Sequence, residues 1–267
     1  MKIKKGLKFS LIAIVTVAIM VLQPLFVNNA KAIENTYYDT MFYNTDILTS
    51  EEWETLENLP KGTVIVMSSI DNEFYYGEEA EQLVIENAVT VVCMPGVGSS
   101  SIGTAAFAKH IAIARDDYIA GIVTGLGAAT VGSEGIQGYY VGRPYNMTGM
   151  YYYEPASDKL AELYNRGARP ELLIGHSKGN MDIANALYKM WWLNRQDQYT
   201  GVDFITFGCG VYIPPRVGSF VQYLGSNDTL GILNTVSYYN MITLDGVTHT
   251  TNPSYDSYIP IELYVVD

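Results

Sequence analysis

Residues 171–179 constrain the fold of this chain more than any other stretch. The short apolar run Glu171-Leu172-Leu173-Ile174 reads as a buried strand. Gly175-His176-Ser177-Lys178-Gly179 follows at once, and a helical pattern then places Ile183, Ala184, Leu187, Met190 and Trp191 on one face. A strand that passes into a helix through so few residues needs a turn sharp enough to bring neighbouring side chains into collision. Glycines two positions either side of Ser177 relieve that crowding, and the turn pushes the serine hydroxyl clear of the sheet.

The surrounding pattern alternates strands with helices from residue 89 onward, which implies a parallel sheet covered on both faces. Val89 to Met94 reads as a strand, and a Gly/Ser loop from Pro95 to Gly103 leads into a helix with Phe107, Ala108, Ile111 and Ala114 on one side. Further strands are expected at Ile119–Val123, Phe204–Phe207, Phe220–Leu224 and Val236–Leu244. A helix begins near Pro155, a residue suited to the first turn, and ends at Gly167. Residues 125–153 interrupt the rhythm with seven glycines and six tyrosines, and read as either a lid or a substrate wall. Residues 33–88 are polar and aromatic, with a strand at Thr63–Met67 and a helix over Ser50–Leu59 capped by Ser50. No function is assigned to that region.

The N-terminus carries Lys2, Lys4, Lys5 and Lys8, an apolar run from Phe9 to about Leu22, and the small-x-small triplet Ala30-Lys31-Ala32. This is the form of a secretory signal peptide over residues 1–32, leaving a single domain at 33–267; an uncleaved membrane anchor is the alternative. The remainder has 11 basic and 28 acidic residues, a net charge of −17. So acidic a surface argues against nucleic acid and against electrostatic docking on anionic lipid. Cys93 and Cys209 each end a strand-like run with another strand between them, so they are expected as buried thiols rather than a disulfide. Histidines are scattered and no C-x-x-C occurs, so no metal site is expected.

Strand, G-x-S-x-G and helix together form a nucleophile elbow. The order of elements resembles the α/β-hydrolase fold over roughly residues 60–255, a mostly parallel sheet with helices on both faces. Gly175-His176-Ser177-Lys178-Gly179 is similar to the elbow of secreted bacterial lipases and esterases, including class 3-like lipases. Lys178 stands where Leu is common and Asn180 where Gly is common, so triacylglycerol is not singled out as substrate. The resemblance implies a secreted serine hydrolase acting on small-molecule or lipid esters without a cofactor, with transient contact at a lipid surface as one mode of access.

Serine needs a base to take its proton, and in this fold acid and base follow the nucleophile in that order. His249 is the only histidine beyond the elbow. Asp228, in the loop after the strand at 220–224, precedes it and is the expected acid, with Asp245 as runner-up; Asp203 lies at the wrong end of its strand. His176 is expected to point to the opposite side of the turn from Ser177, and His110 to pack on a helix flank. Oxyanion donors are expected from the backbone of Lys178 and of Val97, in Pro95-Gly96-Val97-Gly98. Adjacent Ser177 and Lys178 do not have the S-x-x-K spacing of a serine–lysine dyad, and the spacing to Gly103 breaks a dinucleotide fingerprint. Thioesterase, acyltransferase or peptidase chemistry on the same scaffold, and a secreted binding protein without turnover, are the alternatives.

Overall fold

A computed structural model describes residues 38–69 and 73–266; the signal-peptide reading of 1–32 falls outside the described residues. The apolar runs form strands β1 (Val64–Ser68), β2 (Phe74–Tyr76), β3 (Val91–Met94), β4 (Tyr118–Ile122), β5 (Leu172–His176), β6 (Asp203–Phe207), β7 (Phe220–Gly225) and β8 (Met241–Leu244). They make one sheet in the order β2-β1-β4-β3-β5-β6-β7-β8. β1 runs antiparallel to both its neighbours, and every other pairing is parallel. The fold is α/β, with the mostly parallel sheet of an α/β-hydrolase-like arrangement, as the strand–helix rhythm implied. Among the described residues no helix is long and apolar enough to cross a membrane.

Side chains alternate across each strand and feed two cores. On one face Val64, Val66, Val92, Met94, Ala120 and Leu173 pack with helices α2 (Glu78–Ile85), α6 (Pro155–Arg166) and α7 (Lys178–Trp192). On the other, Ile65, Met67, Val91, Cys93, Ile119 and Ile174 pack with α1 (Ser50–Leu56), α3 (Ser101–Arg115) and the C-terminal Ile259 and Ile261. Cys93 and Cys209 are buried free thiols, on β3 and just beyond β6, with β5 between.

Several elements differ from their sequence-based expectation. Thr49, not Ser50, caps α1, because only Thr49 has Glu three residues on: Glu52 N–H donates to Thr49 Oγ1 (3.2 Å) and Thr49 N–H to Glu52 Oε2 (2.6 Å). That helix stops at Leu56. The last strand starts at Met241 rather than Val236, since Asn240 adopts a left-handed conformation (φ 53°). Residues 125–153 are largely helical: α4 (Val131–Gln137), one π-helical turn (Gly138–Gly142) and α5 (Arg143–Thr148). The glycines within 131–148 take negative φ, while Gly127 (φ 82°) and Gly149 (φ 66°) flank the run with positive φ.

The crossing from β5 to α7 is the tightest point of the fold. A Cβ at Gly179 would overlap the backbone carbonyls of Met94 and Pro95, so α7 lies against β3 only because position 179 has no side chain. Gly179→Ala must separate helix from sheet, an overpacking cost of about 1–3 kcal/mol. A fall in thermal midpoint of about 2–12 °C is expected for a domain of this size; an unchanged midpoint by calorimetry would contradict this packing.

Candidate active site

Ser177 occupies the N-cap of α7 with φ 54° and ψ −123°. A non-glycine residue does not hold such angles without support. Ser177 N–H donates to the Phe207 carbonyl (2.8 Å), and the Ser177 carbonyl accepts from Asn180 N–H (3.1 Å) and from Cys209 Sγ (3.0 Å). Asn180 ties the same turn to the loop after β6, its Nδ2 donating to the carbonyls of Phe207 (2.8 Å) and Cys209 (2.9 Å). The asparagine at position 180 is thus part of the turn's bracing.

Parallel strands β5, β7 and β8 bring their C-terminal loops to one edge of the sheet, and these loops carry Ser177, Asp228 and His249. Ser177 Oγ lies 2.8 Å from His249 Nε2. His249 Nδ1 lies 2.7 Å from Asp228 Oδ2 and 2.9 Å from Oδ1. A carboxylate only accepts, so Nδ1 carries the imidazole proton and Nε2 accepts from the serine hydroxyl. Asp228 is further fixed as the N-cap of α8 (Thr229–Asn234), where Gly231 N–H donates to Oδ1 (2.6 Å). Burial is deep: Ser177 is 5% exposed, His249 9% and Asp228 1%.

Other candidates lie elsewhere. Asp245 is exposed and accepts from Ser226 Oγ at 3.3 Å, and Asp203 accepts from Ser219 N–H at the start of β6. His110 sits on α3 against Glu262 (3.3 Å), with burial lowering its pKa against the pull of that carboxylate. His176 is buried beneath the turn, its Nδ1 2.8 Å from Tyr43 Oη and its Nε2 2.8 Å from the His249 carbonyl. Burial and the neighbouring His249 hold the His176 pKa well below the usual histidine value, so its ring is neutral.

The loop after β3 approaches the serine closely; a Cβ at Gly96 would lie 3.1 Å from the Ser177 Cβ. Its polar groups are nearly all engaged. Gly96 N–H donates to Tyr43 Oη (2.6 Å), and the Gly96 carbonyl accepts from Thr124 Oγ1 (3.0 Å) and Ser99 N–H (3.3 Å). The Val97 carbonyl accepts from Tyr38 Oη (2.6 Å), and Gly98 N–H donates to Glu134 Oε2 (2.7 Å). The Val97 amide has no partner among the described residues. Lys178 is the first residue of α7, so its amide is one of the N–H groups that a helix start leaves unpaired.

A buried charge network runs under this loop. Lys178 Nζ donates to Asp182 Oδ2 (2.7 Å) and lies 3.6 Å from Glu154, while Lys61 Nζ lies 3.2 Å from both Glu154 and Glu134. Burial works to lower the Lys178 pKa, but Asp182 and Glu154 outweigh it and hold the ammonium charged. Burial pushes the Asp182 carboxyl up to about 7 against the pull of Lys178. Three carboxylates face two ammonium groups here, and the Glu154 charge adds to the effect of burial in raising the Asp182 carboxyl. No group of three or more His, Cys, Asp or Glu among the described residues is arranged to hold a metal ion.

Residues 38–43, from the region given no function by sequence, thus brace the site. Nothing in their pattern marked them: Tyr38 and Tyr43 lie 59 and 53 residues from the peptides they hold. The only sequence signal for Glu134, Asp182 and Glu154 is their charge, which reads as solvated surface until the chain is folded. No protein-family profile matches the chain, and no curated protein aligns with it significantly.

Asp39 anchors the same bracing segment, accepting from Ser100 N–H (3.1 Å) and Ser100 Oγ (2.5 Å). Burial pushes its carboxyl up from 3.8 to about 7, opposed by those Ser100 bonds. The native state therefore binds this proton more tightly than the unfolded chain, so stability falls as pH rises from about 4 to about 7. Asp39→Asn is expected to flatten that fall. Urea midpoints at pH 5 and pH 8 test it; an equal drop in variant and wild type would contradict the assignment.

Proposed function

We propose that this chain is a secreted serine hydrolase cleaving carboxylic esters, a carboxylesterase or lipase. One observation carries the reading: an unbroken hydrogen-bonded series Ser177–His249–Asp228 ends beside a braced loop whose Val97 amide has no partner among the described residues. The same geometry is what acyl transfer requires. As Ser177 Oγ bonds to the acyl carbon, its proton passes to His249 Nε2 and the carbonyl π electrons move onto oxygen. Asp228 holds the imidazole in the tautomer with Nδ1 protonated and stabilises the imidazolium. The Val97 and Lys178 amides receive the oxyanion; each such donor is typically worth about 10²–10³ in rate. Collapse expels the alkoxide, which takes the proton from His249. Water, deprotonated by His249, then attacks the acyl-enzyme and restores Ser177.

Ser177 is nearly enclosed, so the ester reaches it through displacement of a neighbouring segment. Residues 131–148 fit that role. A Cβ at Gly138 would lie 3.9 Å from Lys178 Cδ and one at Gly142 3.4 Å from Met181 Sδ, so the run rests directly on α7. Ile136, Tyr140 and Met147 lie exposed along it and supply apolar surface toward an acyl chain or a neutral lipid interface.

The experiment is mass spectrometry of residues 33–267 after treatment with a fluorophosphonate, beside Ser177→Ala. A single adduct on the wild type and none on the variant is the expected result. An unlabelled but folded wild type would sink the hydrolase reading in favour of a scaffold without turnover. His249→Ala is expected to lower kcat on a short-chain p-nitrophenyl ester by about 10⁴-fold or more, and Asp228→Asn by about 10⁴-fold. A panel of esters, thioesters and amides assayed in parallel separates esterase from thioesterase or peptidase chemistry.

A further inference from the structure

Tyr43 is fully buried, and its hydroxyl sits where three polar groups converge. Gly96 N–H donates to it at 2.6 Å, Ser99 Oγ at 3.2 Å, and His176 Nδ1 lies 2.8 Å away. A phenol has one hydrogen and two acceptor sites. Gly96 N–H can only donate, and Ser99 Oγ fills the second acceptor site, so the phenolic hydrogen goes to His176 Nδ1. The His176 ring is neutral and accepts there, which leaves its hydrogen on Nε2. That hydrogen meets the backbone carbonyl of His249 at 2.8 Å. Every proton in the series has one consistent position, running Gly96 N–H to Tyr43, Tyr43 O–H to His176, and His176 Nε2–H to the His249 carbonyl.

The two ends of this series belong to different halves of the site. Gly96 precedes Val97, whose amide is the proposed oxyanion donor, and His249 is the proposed base. They share no covalent connection shorter than 153 residues. Phe107 packs 5.4 Å from the Tyr43 ring and 6.2 Å from the His176 ring, and Phe42 lies edge-on to His249 at 5.9 Å. The bridging groups are therefore held in apolar surroundings, where each hydrogen bond is stronger than in water and costly to break.

We infer that Tyr43 and His176 are positioning residues that set the distance between the oxyanion-binding amide of Val97 and the imidazole of His249, through a hydrogen-bonded bridge beneath Ser177. The inference rests on the hydrolase reading above. His176 is not a proton acceptor from Ser177, because its Nε2 is already donating to the His249 carbonyl. It holds that carbonyl, and so the loop bearing the base. Tyr43 sets the Gly96 peptide and orients His176 at the same time. Neither touches the substrate, so their loss shows in the rate of the chemical step and not in ground-state binding.

The test uses Tyr43→Phe, which keeps the ring and removes the hydroxyl, and His176→Gln, whose side-chain N–H₂ still reaches the His249 carbonyl but offers no acceptor at the Nδ1 position. Each protein is titrated for active serine with a fluorophosphonate carried to completion, and kcat per titrated site is measured on a p-nitrophenyl ester. Misplacing reacting groups by a fraction of an ångström to an ångström predicts a kcat about 10- to 100-fold lower for Tyr43→Phe with KM within about twofold. His176→Gln is expected to lose several-fold in kcat, and Tyr43→Phe to cost less in that background than in the wild type. A wild-type kcat per titrated site in Tyr43→Phe, or in His176→Gln where Tyr43→Phe does not fold, overturns the bridge and leaves the hydrolase reading standing. Strictly additive losses overturn the coupling in the same way. A wild type that no fluorophosphonate labels overturns both readings together.

Discussion

The strained turn at Ser177 is the constraint on which the rest of this structure depends. At φ 54° and ψ −123° the residue lies outside the angles an L-amino acid adopts freely, and the cost is met by contacts that close only in the folded chain. Its amide is engaged by Phe207 at the end of β6 and its carbonyl by Cys209 just beyond, and Asn180 ties the first turn of α7 to the same two residues. Gly179 lets α7 lie against the Met94 and Pro95 carbonyls, so the turn can be as sharp as it is. A hydroxyl at the apex of such a turn is held in one place, which is the requirement for a group proposed to attack a carbonyl repeatedly in one geometry.

Below the turn, two polar systems do different work. The Tyr43–His176 series is neutral and its hydrogen bonds are all satisfied, so it adds order without leaving a buried charge. The Lys178–Asp182–Glu154–Lys61–Glu134 network is charged, and buried ion pairs are a weak source of stability because desolvation offsets their attraction. Its value lies in what it connects. Lys178 follows Ser177, Lys61 precedes β1, and Glu134 belongs to the helical run of 131–148 while accepting from Gly98 N–H. The network therefore links the elbow, the loop bearing Val97 and the helical run of residues 131–148.

Much of this was legible in the chain. The strand–glycine–serine–glycine–helix pattern locates the sharp turn, and the alternation of elements implies the parallel sheet that the structure has. Asp228 and His249 could be picked out because the ends of parallel strands meet at one sheet edge, and a loop there has few other carboxylates or imidazoles. The cap of α1 was legible too and was misread: Glu52 sits three residues from Thr49, not from Ser50. What local pattern cannot carry is contact at long range. Tyr43 reaches His176 across 133 residues, and nothing in an aromatic, polar N-terminal stretch says which tyrosine will be buried. The helices within residues 125–153 were hidden for a related reason, since glycine composition reports permitted backbone angles and not those a packed neighbour imposes.

The position of residues 38–43 in the chain has a consequence of its own. Tyr38, Asp39 and Tyr43 hold the Val97 carbonyl, Ser100 and the Gly96 amide, so one short segment fixes both ends of the loop that carries the proposed oxyanion donor. The segment buries Asp39 and Tyr43, and half-buries Tyr38, against the very loop they brace, so the loop and the segment order each other. Loop rigidity is then a property of residues 38–43 as much as of the glycines that shape the loop, and the two cannot be varied independently.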